Sequence, residues 1–285
     1  GVSMEKTSLI NYLKERENFS KSEFLSTLDK RKFEEIEHSD IIHAPKEKTG
    51  VSDDTIKQHA KSRPVYETNL AVRKYISSWI MDNVKEKVVL DLACGSGEIT
   101  KLSHKYGAKI SIGTDLAPIT IENNKTNRSS DQESIFYILD DAENMSIPSN
   151  SIDVVICSGM LHHVVLEQTI FEINRVLKPG GQVFAIEALK HNPIFNMYRK
   201  MTPGARTHWE SAHILGVQEA KILNDVIPVK KIKYWQLFSI LAIFFPERVR
   251  GAVLSVFNTI DAVILKIPYI NRMAWIFTIE LEKSS

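Results

Sequence analysis

The chain has 285 residues, enough to bury the core of one large domain with additions. Its formal net charge is +1, from 36 basic and 35 acidic side chains, and this balance argues against a nucleic-acid-binding protein. The two cysteines, Cys94 and Cys157, lie in apolar segments, as reduced core cysteines of a cytoplasmic protein do.

The first part of the chain has the periodicity of polar, amphipathic helices. Apolar residues recur three and four positions apart in SLINYLKERENF and in KSEFLSTLDKRKFEEIEH, which predicts helices there. Pro45 and Gly50 predict a loop, and TNLAVRKYISSWIMDNV predicts a further helix. We expect residues 1–69 to form an N-terminal helical cap and lid.

From Val88 onward, short β-branched segments alternate with helical ones. Five strands are predicted, in VVLDLA, KISIGTD, SIFYILDDA, SIDVVICSG and GQVFAIEA. This alternation predicts a doubly wound, mostly parallel α/β sheet within residues 70–190, with helices on both faces. Ligands of such sheets bind at the carboxyl ends of the strands, near the switch in strand order.

Beyond Glu187 the alternation ends, and residues 191–285 are expected to cover the substrate. VKKIKYWQLF and RMAWIFTIELEK predict two more strands, giving seven in all, with an apolar helical insert at 238–272 between them. Polar and charged residues interrupt the insert too often for a membrane-spanning helix of about 20 residues. Three roles stay open: helices packed in the domain or in a homodimer, a lid over an apolar substrate, or a peripheral membrane contact.

Three features near the predicted strand ends indicate a ligand. Gly95 and Gly97 follow the first strand and allow a ligand to approach the backbone, although a tight turn alone also requires glycine. Asp115 ends the second strand 20 residues after Gly95, where an acid accepts ribose hydroxyls or caps the next helix. Asp140 and Asp141 follow the third strand and suit an adenine amino group, or a solvated loop.

Together, these segments resemble the class I S-adenosylmethionine-dependent methyltransferases of the small-molecule type, with a ubiquinone/menaquinone-methyltransferase-like core. VVLDLACGSG is similar to the first motif of that family and IGTDLAP to its second-strand acid. DDAENMSIPSNSIDVVICSGMLHHV and INRVLKPGGQVFAIE are similar to the segments that follow. The resemblance implies a Rossmann-like methyltransferase fold and binding of S-adenosylmethionine (SAM), with S-adenosylhomocysteine as the product.

The resemblance also implies which residues surround the cofactor. Asp91 orients the loop and the methionine end, Asp115 holds the ribose, and Leu116 and Asp141 address the adenine. Ala93 stands where the commoner pattern has glycine, and we expect little loss from its methyl group. The full predicted set is Asp91, Ala93, Gly95, Ser96, Gly97, Asp115, Leu116, Asp141, Ala142 and Ser158.

Histidines after the fourth strand are the candidates for acid–base chemistry. His162 and His163 lie at the expected rim, where either one is a base, a substrate contact or a packing residue. Adjacent residues on a helix point apart, so we expect no metal site. Weaker substrate candidates are Tyr66, His59, His208, Glu210 and His213.

The sequence therefore predicts a cytoplasmic SAM-dependent methyltransferase, with or without a peripheral membrane contact. Its acceptor is a small organic or lipid-like molecule, such as a quinone-like metabolite or a natural product of secondary metabolism, and the acceptor atom is left open. Two alternatives are a SAM-binding sensor or scaffold without catalysis and a nicotinamide-dependent reductase. The second lacks support because Gly95-Ser-Gly97 does not continue into G-x-G-x-x-G.

Overall fold

A computed structural model describes residues 6–43, 68–201 and 207–285 of the chain. The α-helices are α1 (Lys6–Glu17), α2 (Lys21–Leu25), α3 (Lys30–His43), α4 (Leu70–Asn83), α5 (Glu98–Lys105), α6 (Pro118–Thr126), α7 (Leu166–Val176), α8 (Pro193–Met201), α9 (His208–Ala212), α10 (Val217–Val226) and α11 (Glu247–Ile264). The strands are β1 (Val88–Leu92), β2 (Ile110–Asp115), β3 (Ile135–Leu139), β4 (Ile152–Ser158), β5 (Leu177–Ala188), β6 (Val229–Trp235) and β7 (Ile276–Glu282). Two short 3₁₀ helices cover Ser239–Phe244 and Asn271–Met273.

The seven strands form one sheet in the order β3-β2-β1-β4-β5-β7-β6. The first five strands pair in parallel, and β7 runs antiparallel to both of its neighbours. Every residue of β1, β2 and β3 is buried, as expected for strands that helices cover on both faces. The predicted mostly parallel α/β sheet is confirmed, and its strand order reverses between β1 and β4, where ligands of such sheets bind.

Alternate residues of the central strands pack into different hydrophobic clusters on the two faces of the sheet. On one face, Val89 and Phe184 pack with Trp79 of α4, whose ring centroid lies 4.7 Å from that of Phe184. On the other face, Leu90 joins the larger cluster that includes Ile170 of α7. Each such buried aliphatic side chain stabilises the fold by roughly 1.5–3 kcal/mol, so both faces contribute to holding the strand ends in place.

The fold differs from the sequence prediction where backbone pairing competes with helix formation. The sequence LEQTIFEINRVLK predicts a helix that runs through Lys178. The observed helix α7 ends at Val176, because Leu177 already pairs with Ile152 at a bulged start of β5. Similarly, β6 ends at Trp235 rather than at Phe238. The N–H groups that follow donate instead to the buried carboxylate of Asp261 on α11.

The segment between β6 and β7 contains the first 3₁₀ helix, then α11, then the second 3₁₀ helix, rather than a pair of α-helices. The Asp261 carboxylate accepts hydrogen bonds from the N–H groups of Leu237, Phe238 and Ser239, at 2.8–3.1 Å. This contact fixes α11 against the chain that leaves the sheet. In the described part of the chain, every helix falls short of the combined length and apolar character that a membrane crossing requires. The division at residues 69/70 and 190/191 stays a prediction.

Candidate active site

The buried carboxylate of Asp91, on β1, stabilises the turn that follows this strand. Asp91 is 2% exposed, and its Oδ2 accepts from the Thr100 N–H at 2.9 Å and from the Thr100 hydroxyl at 2.6 Å. Burial raises the pKa of Asp91 to about 7, and the nearby charge of Asp115 acts in the same direction. Asp91 therefore ties the end of β1 to the first turn of α5.

Three residues of this turn adopt left-handed backbone conformations. Gly95 has φ 49° and Gly97 has φ 72°, which glycine tolerates without steric cost. Ala93 has φ 54°, and an alanine in this region is strained by about 1–2 kcal/mol. The methyl group of Ala93 is small, but it makes the backbone at this point less free than a glycine would. Ser96, between the two glycines, is exposed.

Gly97 also has a packing role. A Cβ atom at this position would lie 2.7 Å from the Tyr137 hydroxyl oxygen, far inside normal contact distance. Tyr137 belongs to β3, so the missing side chain of Gly97 allows the turn to pack on the neighbouring part of the sheet. The sequence predicted a ligand contact or a tight turn at Gly97, and neither prediction included this packing requirement.

Asp115 connects the two predicted cofactor loops. Its Oδ2 accepts from the Gly95 N–H at 3.0 Å, and its Oδ1 accepts from the N–H of Ala117, the N-cap of α6, at 2.9 Å. The hydroxyl of Ser39 on α3 lies 3.4 Å from the same Oδ1. The helix-start role considered for Asp115 is therefore present, and Asp115 also lines the pocket.

The two acids after β3 are placed differently. Asp140 lines the pocket and accepts from the Ser146 N–H at 3.0 Å, while burial raises its pKa to about 6. Asp141 accepts from the Glu143 N–H at 2.9 Å and lies 2.5 Å from the ammonium of Lys32, outside the pocket lining. The sequence analysis assigned the adenine contact to Asp141, but Asp141 forms an ion pair with Lys32 of α3, whereas Asp140 lines the pocket.

One pocket collects the strand ends of β1 to β4. It includes predicted cofactor residues from each of the first four strands or the turns after them, and most of the remaining lining comes from α3 and from the turn after β4. Four predicted residues of the first turn lie outside this lining: Asp91, Gly95, Ser96 and Gly97. The lining residues are Arg31, Glu35, His38, Ser39, Leu92, Ala93, Thr114, Asp115, Leu116, Asp140, Ala142, Glu143, Ser158, Gly159, Met160, His163 and Val164.

Helix α3 supplies a wall that the sequence analysis did not assign. Arg31 donates to both carboxylate oxygens of Glu143, at 2.6 and 2.7 Å, and to the carbonyl of His163. Arg31, Glu35 and His38 follow one another at spacings of four and three residues, so they share one face of the helix. The spacing of these residues shows that they share one helix face. It does not show which part of the protein that face packs against, so the sequence could not place it at the pocket.

The two histidines after β4 lie in a turn, and they converge. Residues 161–164 form the turn before α7, and the ring centroids of His162 and His163 are 4.3 Å apart. The prediction that the two side chains point apart is wrong, because it assumed a helix at this position. Only His163 lines the pocket.

Each histidine is held by a carboxylate on a different element. His162 Nδ1 lies 2.5 Å from Glu187 of β5, whose other oxygen accepts two backbone N–H groups of the turn. His163 Nδ1 lies 2.7 Å from Glu35 of α3. Burial lowers the pKa of His162, but the Glu187 charge and hydrogen bond, with the charges of Glu210 and Glu35, raise it overall.

The remaining substrate candidates are separated by the structure. Glu210 is buried, with Oε1 at 3.7 Å from His162 Nε2 and Oε2 at 3.9 Å from His38 Nε2. His208 and His213 are exposed and lie outside the pocket lining. Tyr66 and His59 fall outside the described residues.

The middle of the chain is similar in sequence to known methyltransferases. A methyltransferase domain family model matches residues 90–185. The ubiquinone biosynthesis O-methyltransferase of Coxiella burnetii is 30% identical over 125 residues, covering 44% of this chain and 52% of that protein. The ubiquinone/menaquinone biosynthesis C-methyltransferase of Wigglesworthia glossinidia brevipalpis is 32% identical over 121 residues, 41% of this chain and 48% of that protein. Residues 90–185 are therefore similar to a methyltransferase domain.

The likeness to solved structures extends beyond the matched range. A solved geranyl diphosphate methyltransferase in complex with SAM has a TM-score of 0.54 at 14% identity, covering 73% of this chain and 84% of that chain. This likeness concerns the fold alone. The chain spans about half the length of the two curated relatives named above. The α3 wall and Glu210 lie outside the matched methyltransferase domain.

Proposed function

We propose that this protein transfers a methyl group from SAM to a small organic or lipid-like acceptor. The observation that carries the proposal is the pocket at the carboxyl ends of β1 to β4, at the reversal of strand order, inside a methyltransferase domain. Buried carboxylates that accept hydrogen bonds surround this pocket, whereas a dinucleotide needs donors for its two phosphates.

The residues present suit SAM. Asp115 is 6% exposed and lines the pocket, so it suits the two ribose hydroxyls, which are donors. Leu116 and Ala142 offer apolar contacts for the adenine, and Asp140 offers acceptors for the adenine amino group. Asp141, to which the sequence analysis gave this role, is the next residue and lies outside the pocket lining. Ser158, at the end of β4, lies on the side proposed for the methionine part. When bound, SAM supplies an activated methyl group, and the protein supplies binding and orientation.

We propose that the acceptor binds between α3 and the turn after β4. His163 and Glu35 line this part of the pocket and form a hydrogen-bonded pair. Either His163 or His162 contacts the acceptor or removes its proton, and residues 1–69 and 191–285 close the chamber. Tyr66, His59, His208 and His213 keep the weaker substrate role proposed from the sequence.

Isothermal titration calorimetry with SAM, S-adenosylhomocysteine and NADPH tests the cofactor assignment. We expect both sulfur compounds to bind below millimolar concentration and NADPH not to bind. Binding of NADPH alone would support a reductase. A screen with methyl-labelled SAM against metabolite extracts then tests transfer, since a sensor or scaffold binds SAM without labelling any acceptor.

We also propose that the segment 238–272 contacts the surface of an anionic lipid bilayer. On α11, Val249, Val256, Ile260 and Val263 recur at spacings of seven, four and three residues, so they share one helix face. They are 36–63% exposed, and Phe244 beside them is 78% exposed. An exposed apolar face of this kind is typical of an interaction surface.

The charges around this face favour lipid over a second copy of the chain. Arg248, Arg250, Lys266 and Arg272 lie in the segment, and Asp261 is buried, which leaves Glu247 as its exposed acid. Basic side chains beside an apolar helix face are attracted to anionic headgroups by about 1 kcal/mol each.

Liposome flotation with vesicles of phosphatidylcholine alone, or mixed with phosphatidylserine, tests this contact. We expect flotation on the anionic vesicles and its loss in Val256→Ser/Phe244→Ser. Phe171 is 62% exposed on α7 and is not part of the segment, so Phe171→Ser is the matched control and should still float. Equal flotation of all variants, or a dimer that only Val256→Ser/Phe244→Ser disrupts, would contradict the proposal.

A further inference from the structure

The side chains of His162, His163 and Glu210 form a cluster of metal-ligand type. One ligand atom from each lies within 4.8 Å of the other two. His162 and His163 come from the turn after β4, and Glu210 comes from α9, so three-dimensional folding alone brings the carboxylate to the histidine pair. Two imidazoles and one carboxylate form a ligand set that proteins use for zinc and for non-haem iron.

The surroundings of the cluster add a second, independent observation. Metal-binding histidines usually bind the ion through one ring nitrogen while a carboxylate holds the other. Here Glu187 holds Nδ1 of His162 at 2.5 Å, and Glu35 holds Nδ1 of His163 at 2.7 Å. In both rings Nε2 is thereby left as the nitrogen for an ion.

Both supporting carboxylates are themselves anchored. Glu187 is 2% exposed and accepts from the N–H groups of Met160 and Leu161, at 2.9 and 2.7 Å. Glu35 is 7% exposed and accepts from the Thr207 hydroxyl at 2.7 Å. Rings held in this way lose little further freedom when they bind an ion, which favours affinity.

We propose that His162, His163 and Glu210 bind a divalent transition-metal ion of the zinc class. Two ligand atoms of a tetrahedral zinc ion are about 3.4 Å apart, given bonds of about 2.0–2.1 Å. His162 Nε2 and Glu210 Oε1 are 3.7 Å apart, so this pair needs to close by only a few tenths of an ångström. Magnesium is disfavoured, because it prefers oxygen ligands in an octahedron.

The position of the cluster suggests what the ion does. His163 lines the proposed acceptor pocket, so an ion bound there is next to the acceptor. We infer that the ion binds an oxygen atom of the acceptor, such as a phenol or enol hydroxyl, and holds it in the pocket. This role rests on the proposed function, whereas metal binding itself does not.

Metal binding is tested with the full chain, stripped by chelator and titrated with Zn²⁺ by calorimetry, and with Co²⁺ by visible absorption. We expect one ion per chain, bound at micromolar concentration or more tightly, and cobalt bands of a four- or five-coordinate site. Glu210→Gln keeps the shape of the side chain and removes its charge, so it should weaken binding at least tenfold. His163→Ala should do the same.

His213→Ala is the matched control, because His213 is an exposed histidine one residue after α9 and outside the cluster. It should bind Zn²⁺ as the wild type does. No binding below 100 µM, or equal affinity in Glu210→Gln, His163→Ala and the wild type, would overturn the proposal. Calorimetry with SAM on the same variants reports folding and the cofactor site separately, so failure of one assignment does not conceal the other.

Discussion

The buried carboxyl group of Asp91 makes stability depend on pH in a way that one substitution isolates. Its pKa in the folded protein is about 7, against an ordinary value of 3.8, chiefly because burial disfavours the charged form. The folded state therefore binds the proton more tightly than the unfolded state does. The contribution of Asp91 to the free energy of unfolding is fully present below about pH 4, falls as pH rises from about 4 to 7, and stays reduced above pH 7.

The size of this effect follows from the two pKa values. Between pH 3.8 and about 7, the free energy of unfolding falls by about 1.4 kcal/mol per pH unit because of Asp91, so the total loss is at most about 4 kcal/mol. Asp91→Asn removes the ionisation but preserves the local contacts. Both hydrogen bonds from Thr100 go to the single oxygen Oδ2, which an amide oxygen can replace.

Urea unfolding of the wild type and of Asp91→Asn at pH steps from 4 to 8 measures the difference. We expect the variant to gain stability relative to the wild type as pH rises, by up to about 4 kcal/mol at pH 8. Titration of all other groups cancels in the comparison. Parallel profiles for the two proteins, or a variant that loses relative stability as pH rises, would refute the reasoning.

Three further substitutions test other contacts. Asp115→Ala leaves the Gly95 N–H without its acceptor, so it should lower both the free energy of unfolding and, by calorimetry, SAM affinity, each by about 1–3 kcal/mol; unchanged affinity counts against the ribose assignment. Gly97→Ala should lower the melting temperature, because the new methyl group meets the Tyr137 hydroxyl. That hydroxyl has no hydrogen-bond partner among the described residues, so removing it with Tyr137→Phe should reduce the destabilisation caused by Gly97→Ala. Thermal melts in which the effects of the two substitutions simply add would contradict this. Asp261→Ala should cost about 1–3 kcal/mol, measured by urea unfolding, because three N–H groups lose one acceptor; a neutral result contradicts the capping role.

The fold was predictable wherever local pattern and tertiary pairing agree. The β-branched runs of β1 to β5 were all identified, because strands buried on both faces require continuous apolar residues. The end of α7 was misplaced by two residues, since the pairing of Leu177 with Ile152 is a long-range contact. The end of β6 was misplaced for a similar reason, because Asp261 lies over 20 residues further along the chain.

The side of the pocket formed by the strand ends was predictable from the sequence, and the side formed by α3 and the turn after β4 was poorly predictable. Asp115 and Ala93 follow strands, so their place at the sheet edge follows from topology. Glu35 and His38 come from a helix whose docking surface is set by non-local contacts, and periodicity carries no information about these. The convergence of His162 with its neighbour needed the turn, which a helical assumption concealed.

The two ends of the segment that carries α11 meet at the sheet. The chain leaves β6 at Trp235 and returns to β7 at Ile276, and these two residues are direct partners across the strands. The next pair continues the ladder, because the Trp275 N–H donates to the carbonyl of Gln236 at 3.0 Å. The entropic cost of closing a loop rises by only about 0.6 kcal/mol for each doubling of the loop's length. The segment between β6 and β7 can therefore change in length or be replaced without disturbing the pairing of the two strands. Its surface chemistry is free to diverge, by insertion or replacement, while β1 to β4 and the pocket at their ends stay unchanged.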